Sequence, residues 1–339
     1  MGSNHARVLS RLVRESKLNV ELAYIVDIDQ SRAEYVSKTY GGKPVSSIDD
    51  ISELDGAIVA TPTSTHYEIV SKLVDKGVNY IFVEKPMTLT LTEAIDLVEK
   101  LRDSDIVLNV GYIERFNPAF IALLRGRMEG SINDVLTIVS RRIGPFVPRA
   151  GSVDVTLDLG SHEVDAHTLI MGKLPLSVKS FGLSNIVSNR LDHAWIIMNY
   201  GDTLSLIEVS RVSPVKLRVL YITSRSSLVF LNYIDQKLNF IKSTGEEFPN
   251  TRREEPLFLE DYLSIAYYQN YRSALVDAYQ GLVVQYICEA IGESYRRRVE
   301  VPLGEDSVYS TYSDFFIKGL DGFRKFLFRL MDAYKLVSS

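Results

Sequence analysis

The apolar positions in the first third of the chain follow two different periods. Short continuous apolar runs, at 56–60 and 80–83, alternate with segments whose apolar residues lie three and four apart. Continuous runs of this length indicate strands buried on both faces, and the other spacing indicates amphipathic helices. The alternation predicts an α/β fold that begins with βαβ units and a parallel, doubly wound sheet.

The pattern changes after residue 113. Beyond Gly172 the chain is rich in short apolar segments joined by tight turns, at 176–183, 194–199, 203–210, 216–222, 227–233 and 237–241. These segments predict a second, largely antiparallel open sheet. Long helices are expected at 261–291, with a break near Gly281, and at 309–336. We therefore expect two domains, 1–113 and 114–339.

A buried strand in the first domain ends in Glu84-Lys85-Pro86. Proline cannot donate to a sheet ladder, so Pro86 ends this strand and leaves Lys85 at its carboxyl end. Open α/β sheets bind ligands at this edge. The strand at 56–60 runs into Ala60, Thr61, Pro62 and His66 at the same edge. A solvated lysine at a strand end fits the local pattern equally well.

Asp27 follows the strand predicted at 20–26. An acidic residue in this place can hydrogen-bond the adenosine ribose of a dinucleotide. No arginine or lysine directly follows Asp27, which favours NAD over NADP because the carboxylate would repel a 2′-phosphate. An ordinary surface turn is the alternative.

The glycine fingerprint of a dinucleotide fold is incomplete. The expected order is a strand, then G-x-G-x-x-G, then a helix. Here Gly2 fits only the third glycine, with Asn4 as a candidate helix N-cap, and no residues precede it for the strand. Strands beside the missing one would lose a ladder partner, at about 1–3 kcal/mol per orphaned group. We hypothesise that Met1 is an internal methionine of a longer chain, which the upstream in-frame codons would test.

Asp158, His162 and Asp165 form a second polar group. Their spacing places them on one face of a helix, where a histidine between two acids indicates acid/base chemistry. Ala166 stands where a zinc-binding H-E-x-x-H motif needs its second histidine, so no metal site is predicted. A capped helix with a hydrogen-bonded structural histidine is the alternative.

The segments 1–7 and 60–66 and the Glu84-Lys85-Pro86 triplet resemble the Gfo/Idh/MocA family of NAD(P)-dependent oxidoreductases. The resemblance implies a Rossmann domain, a larger α/β domain, and a homodimer or homotetramer formed through the back of the second sheet. It implies catalytic roles for Lys85, Asp158 and His162, with the Asp-x-x-x-His pair facing the nicotinamide. The cofactor-binding candidates are Gly2, Asn4, His5, Asp27, Ala60, Thr61, Pro62, His66, Glu84 and Lys85. The substrate-binding candidates are Tyr112, Arg115, Asn117, Arg142, Arg149 and Asp165.

Three segments, 111–118, 142–149 and 158–162, are most similar to nucleotide-sugar dehydrogenases of the UDP-N-acetylglucosamine 3-dehydrogenase type. Arg142 or Arg149 would then meet the substrate's diphosphate. Tyr112 departs from the histidine that is usual at its position in the family. The alternatives are a simple sugar or polyol dehydrogenase of the inositol type, and a non-catalytic NAD-binding regulator.

The composition limits the cellular locations and the binding partners that we expect for this protein. The 339 residues carry a net charge of −5, which gives no general attraction to nucleic acid. The single cysteine, Cys288, excludes an intrachain disulfide. The chain has no apolar run of transmembrane length and no secretory core near Met1. We expect a cytoplasmic protein with a small-molecule substrate, whose basic aromatic C-terminal segment packs onto the body.

Overall fold

The computed structural model describes residues 1–147, 153–249 and 251–338. The helices are α1 (Gly2–Arg14), α2 (Gln30–Tyr40), α3 (His66–Asp75), α4 (Leu91–Leu101), α5 (Pro118–Met128), α6 (Val155–Asp158), α7 (Gly160–Met171), α8 (Pro256–Tyr271), α9 (Ala278–Arg297), α10 (Ser307–Thr311) and α11 (Ser313–Ser338). The strands are β1 (Tyr24–Val26), β2 (Lys43–Val45), β3 (Gly56–Val59), β4 (Tyr80–Glu84), β5 (Val107–Gly111), β6 (Val135–Ile143), β7 (Ser177–Ser184), β8 (Leu191–Asn199), β9 (Leu204–Ser210), β10 (Leu217–Ser224), β11 (Leu228–Asn232), β12 (Lys237–Lys242), β13 (Gly245–Glu247) and β14 (Val301–Pro302).

The amino-terminal sheet is parallel and lies in two pieces. β1 pairs with β2, and β3, β4 and β5 form a separate three-stranded sheet. Among the described residues no strand lies hydrogen-bonded between β1 and β3. The predicted loss of a ladder partner is therefore present in the structure. The hypothesis of a start upstream of Met1 stays a prediction.

β4 is the best-buried strand of this sheet, with all five of its residues buried. Its apolar run packs between β3 and β5, as the sequence predicts for a parallel strand covered on both faces. The strand ends at Glu84, directly before Lys85 and Pro86. The preceding helix α3 ends at Asp75, and Gly77 follows with a φ of 72°, as expected for a glycine that stops a helix.

The second sheet has nine strands in the order β13-β12-β11-β10-β6-β9-β8-β7-β14. Every neighbouring pair is antiparallel except β6 and β9, which run parallel. The prediction of a largely antiparallel open sheet is confirmed. Helices α7 and α9 pack on this sheet. Every residue of α7 from Gly160 to Ile170 is buried, although several are charged.

Three helix predictions need correction. The helix predicted at 261–291 is broken between Tyr271 and Ala278, where Asp277 and Gln280 form a capping box. Gly281 lies inside α9, where an added Cβ would sit 2.9 Å from Met87 Sδ, so close packing rather than a break accounts for it. α1 begins at Gly2 with Met1 as its N-cap, so Asn4 is not the cap.

The carboxyl-terminal helices return to cover the first sheet. The rings of Tyr80 and Tyr268 stack with centroids 4.6 Å apart, and Val110 N donates to Val276 O at 2.8 Å. The tail helix α11 buries Phe323 and Phe326, in agreement with the prediction that it packs onto the body. The domain division at 113 and 114 stays a prediction. None of the helices in the described ranges is long and apolar enough to cross a membrane.

Candidate active site

Lys85 and Asp158 meet, although 73 residues separate them in the chain. Lys85 Nζ donates to Asp158 O at 2.7 Å and to Asp158 Oδ1 at 3.0 Å. The two side chains are 15% and 21% exposed, so the pair borders solvent. The end of β4 and the end of α6 thus bring an ammonium group and a carboxylate to one point.

His162 lies in the first turn of α7, and the chain breaks its helical path at Leu159 between α6 and α7. Asp158 accepts its hydrogen bonds from Lys85, and no hydrogen bond joins Asp158 to His162 among the described residues. The third member of the predicted stripe, Asp165, points into a buried ion pair described below.

His162 is buried, and its Nδ1 has no hydrogen-bond partner among the described residues. Burial holds the pKa of His162 well below its usual value, and the charges of Lys85, Arg142 and Arg218 lower it further. The imidazole is therefore neutral near pH 7. A neutral imidazole beside an ammonium group can accept a proton from a hydroxyl that the ammonium polarises.

The N-terminus of α1 lies beside the end of β3. Gly2 and Asn4 are exposed, and a Cβ added at Gly2 would lie 3.8 Å from the Cβ of Ala60. The first turn of α1 carries no acidic side chain. Free amide groups and the helix dipole make such an end favourable for phosphate oxygens. The residues present therefore fit the diphosphate of a dinucleotide.

His66 joins the loop after β3 to the end of β4. Its Nδ1 lies 2.9 Å from Pro86 O, and its Nε2 lies 2.9 Å from Thr61 O. The ring is buried, and burial lowers its pKa. These contacts hold Thr61 and Pro62 next to Lys85, so His66 positions the loop.

Asp27 lies at the end of β1 with its carboxylate partly exposed. It accepts a hydrogen bond from Asp29 N at 2.9 Å, and Arg32 Nη1 lies 3.4 Å from its Oδ2. The sequence argument for NAD considered only the residues directly after Asp27. The first turn of α2 brings Arg32 back to this carboxylate, so a cation does stand at the predicted ribose site.

His5 and Glu84, both cofactor-binding candidates, have side chains in a buried group of charged residues. His5 Nε2 lies 2.9 Å from Glu84 Oε1, and His5 Nδ1 lies 2.9 Å from Asp261 Oδ1. All three side chains are buried. Burial alone would lower the pKa of His5, but Asp261 and Glu84 raise it to about 10. We call His5, Glu84 and Asp261 the closed cluster; it joins α1, β4 and α8 behind Lys85.

Four of the predicted substrate-binding residues make contacts inside the protein core. Arg115 Nε lies 2.9 Å from Asp165 Oδ2, both residues are buried, and the guanidinium lies 4.6 Å from the ring of Phe323. Asn117 caps α5 and donates to Tyr233 O at 3.0 Å. Tyr112 is buried, and burial raises the pKa of its hydroxyl.

Arg142, predicted to meet a diphosphate, is buried and already paired. Its Nε lies 2.5 Å from Glu163 Oε1, and its Nη2 lies 2.9 Å from Glu114 Oε1. Two carboxylates thus hold this guanidinium inside the protein. The other predicted diphosphate ligand, Arg149, lies outside the described residues.

Sequence reasoning missed two cations beside this pair. Arg218 on β10 lies directly opposite Arg142 on β6, with its Nη1 3.5 Å from Glu114 Oε1. Lys216 precedes β10 and is exposed. Residues two apart on a strand point to the same side, and this spacing is the only signal in the sequence. We call Glu114, Arg142, Glu163, Lys216 and Arg218 the open cluster.

Comparisons with known proteins agree with this geometry. Residues 1–112 match the Gfo/Idh/MocA family model, described as an oxidoreductase family with an NAD-binding Rossmann fold. The chain is 30% identical over 216 residues, 62% of this chain and 67% of the relative, to UDP-N-acetylglucosamine 3-dehydrogenase of Acidithiobacillus ferrooxidans. The structure of that enzyme superposes with a TM-score of 0.79 at 24% identity, covering 88% of this chain and 95% of its own.

Two further relatives extend the comparison. The scyllo-inositol 2-dehydrogenase (NAD(+)) of Bacillus subtilis is 25% identical over 334 residues, which is 91% of this chain and 95% of that protein. The WlbA dehydrogenase of Bordetella pertussis, solved in complex with NADH and UDP-GlcNAcA, has a TM-score of 0.72 at 18% identity. It covers 84% of this chain and 91% of its own.

Proposed function

The chain belongs to the Gfo/Idh/MocA family of oxidoreductases with an NAD-binding Rossmann fold, and from that premise we propose that it oxidises a secondary hydroxyl of a sugar or nucleotide sugar with NAD. One observation carries the proposal. Lys85, Asp158 and His162 come from two distant segments and converge where a sheet edge meets α6 and α7. The similarity to UDP-N-acetylglucosamine 3-dehydrogenase supports the nucleotide-sugar class.

Lys85 binds the reacting oxygen in this proposal. Asp158 accepts two hydrogen bonds from the ammonium group, through its backbone carbonyl and its carboxylate, and these fix the direction of the lysine side chain. The remaining N–H can donate to a substrate hydroxyl and stabilise the negative charge that develops as its proton leaves.

His162 accepts the hydroxyl proton. It is neutral at pH 7, since burial and nearby cations lower its pKa. When bound, NAD would supply the hydride acceptor for the carbon that bears this hydroxyl, and His162 would hold the hydroxyl proton as the alcohol becomes a ketone. The family alternative in which lysine and histidine share the proton is tested by the same variants.

The cofactor would be held along the edge of the first sheet. We assign the diphosphate to the amide end of α1 at Gly2 and Asn4, and the ribose to Asp27. Ala60, Thr61 and Pro62 follow β3 at the same edge. His66 holds this loop in place.

The experiment measures NADH absorbance with UDP-N-acetylglucosamine, simple hexoses and inositols. Lys85→Ala and His162→Ala should each lower kcat by about 10²–10⁴-fold, the usual range for acid/base groups. NAD affinity should stay within about threefold, because neither side chain lies at the proposed diphosphate site. Lys38→Ala, which changes an exposed residue of α2, serves as the control. Wild-type turnover in either site variant would refute its role.

An inositol-type polyol dehydrogenase is the second candidate. The scyllo-inositol 2-dehydrogenase similarity extends over 91% of this chain, further than the nucleotide-sugar match. The same panel decides between them by the ratio of kcat/KM values. The trio of Lys85, Asp158 and His162 favours both enzymes over a non-catalytic NAD-binding regulator.

A homo-oligomer formed through the nine-stranded sheet is also part of the proposal. Phe181 and Trp195 are cross-strand neighbours and remain 55% and 40% exposed. Exposed aromatic pairs on one sheet face are typical of interfaces. Sedimentation of Trp195→Glu should show a smaller assembly than the wild type. The buried, unpaired Cys288 agrees with a cytoplasmic location.

A further inference from the structure

We propose that Lys216 and Arg218 bind an anionic group of the substrate, a phosphate or a carboxylate, on the side of the reacting hydroxyl away from NAD. The inference rests on the proposed function, since it presumes that the substrate lies between Lys85 and His162. It replaces Arg142 as the expected ligand of a diphosphate.

The first step is the placement of Arg218. It lies opposite Arg142 in the pairing of β10 with β6, on the sheet side that carries the buried residues Leu220 and Ile222. Arg218 Nη1 lies 3.5 Å from Glu114, which shares Arg142 with Glu163, and Glu163 directly follows His162 in α7. Arg218 therefore borders the proposed reaction site. With a side chain 34% exposed, it can contact a ligand.

The second step is the position of Lys216, which extends the pair Arg142 and Arg218 towards the surface. Lys216 lies two residues before Arg218, so the two side chains point to the same side about 7 Å apart along the chain. Lys216 lies against Gly144, at the end of β6. Arg142, Arg218 and Lys216 thus form a row that runs from the protein interior to the surface.

The third step is the balance of charge. The open cluster has three cations and two carboxylates, and both carboxylates bond Arg142 directly. Arg218 reaches only Glu114, at 3.5 Å, and Lys216 has no ion pair within the described parts of the chain. Arg218, and then burial, lower the pKa of Lys216, and burial and Arg142 lower that of Arg218. An arriving anion would relieve this repulsion.

The chemistry of the pair matches a substrate oxyanion. A guanidinium offers two parallel donors to a phosphate or carboxylate, and an ammonium adds a point charge. Lys85 follows β4 in the first sheet, whereas Arg218 lies on β10 in the second, so the reacting hydroxyl and the anion would contact different elements. A sugar 1-phosphate, a nucleoside diphosphate sugar and a hexuronic acid all have this arrangement, whereas inositol does not.

The test measures equilibrium binding and turnover with Lys216→Met and Arg218→Met. Calorimetry uses UDP-N-acetylglucosamine and inorganic pyrophosphate, while turnover compares a sugar 1-phosphate, glucuronic acid and scyllo-inositol. Lys237→Met and Arg225→Met are matched controls, since both residues are exposed on the same sheet away from the cleft. Thermal denaturation checks that all four variants fold.

We expect each site variant to weaken UDP-N-acetylglucosamine and pyrophosphate binding about tenfold to a hundredfold, the range for a hydrogen bond between charged groups. The KM for anionic substrates should rise by the same factor in both variants. Inositol turnover should stay within about twofold in Lys216→Met, because Lys216 is not among the charges that lower the pKa of His162. A larger effect on the diphosphate than on glucuronic acid identifies phosphate as the ligand, and the reverse identifies carboxylate.

Two results separate this inference from the proposed function. Equal binding of every anion by wild type and both site variants would overturn the inference, even if the enzyme oxidises sugars. Loss of pyrophosphate binding in the variants would support the anion site, even if none of the sugars tested is oxidised.

Discussion

Two groups of charged side chains flank Lys85, and they differ in their access to solvent. The closed cluster places His5 between Glu84 and Asp261, and all three residues are buried. The open cluster begins with the equally buried Arg142 but continues through Arg218 to the exposed Lys216. The first is sealed by α1 and α8, whereas the second reaches the cleft.

This difference teaches how to separate structural charges from binding charges. Burying a charged side chain removes its hydration, and only the attraction to its ion-pair partner compensates for that loss. Members of a buried ion pair therefore cannot leave each other to bind a ligand. A cation at the edge of such a network keeps part of its solvation and can exchange water for an anion. Residue type alone predicts neither behaviour: Arg142 and Arg218 are identical in chemistry and lie opposite each other.

Replacing Arg142 with methionine should have the largest effect on stability. Glu114 and Glu163 would remain buried without their main cation, which costs about 3–5 kcal/mol of unfolding free energy. Urea denaturation measures this loss. Arg225→Met, which removes a surface pair with Asp134, should change stability by less than about 1 kcal/mol. A stable Arg142→Met protein with only a raised KM would restore Arg142 as a substrate ligand.

Replacing His5 with glutamine tests the closed cluster. Glutamine keeps a donor but loses the positive charge between Glu84 and Asp261, so we expect a loss of about 3 kcal/mol at pH 7. The same urea titration measures it. Because Glu84 directly precedes Lys85, kcat should also fall, while the KM for the sugar stays near its wild-type value. Unchanged stability would show that the cluster does not carry a buried charge.

The pH dependence of stability sharpens this comparison. The pKa of His5 is raised to about 10 from 6.5, so the folded state holds its proton more tightly than the unfolded chain. Its contribution is complete below about pH 6.5 and is lost as the pH rises towards 10. The raised pKa of Asp261, caused by burial, acts in the same direction. The stability difference between wild type and His5→Gln should therefore shrink between pH 7 and 10.

Replacing Arg32 with alanine should have the smallest effect, and it should change only the preference between NAD and NADP. Arg32→Ala removes an exposed cation beside Asp27 and leaves the carboxylate to repel a 2′-phosphate. We expect the KM for NADP to rise about threefold to tenfold and that for NAD to change less than about twofold, since exposed ion pairs are weak. Arg11→Ala, on the surface of α1, is the control. An equal change for both cofactors would remove Arg32 from the ribose site.

Much of the fold follows from local pattern. The apolar strand Tyr80–Glu84 must be buried on both faces, and Pro86 prevents it from continuing. Its place inside a parallel sheet therefore follows from the sequence. The second sheet follows from its short apolar segments and turns. The break after Tyr271 does not follow from apolar periodicity. The capping box of Asp277 and Gln280 marks it, and Gly281 marks a packing contact inside α9 instead.

The candidate site also has features that the sequence predicts and features that it does not. Lys85, Asp158 and His162 could be named from motif and spacing. Their pairing could not, because Lys85 and Asp158 lie 73 residues apart and meet only in the folded chain. His5, Arg115, Arg142 and Asp165 are polar residues at plausible positions, yet the fold gives each of them a buried partner far away in the chain.

By itself the sequence determined the alternation of strands and helices, the edge at which ligands bind, and the identities of the candidate catalytic groups. Only the tertiary structure decided which charges are matched within the protein and which remain open to a ligand. The reason is physical: periodicity and turn chemistry act over a few neighbouring residues, whereas burial and charge pairing depend on segments that folding brings together, such as β4 with α6 or β6 with β10.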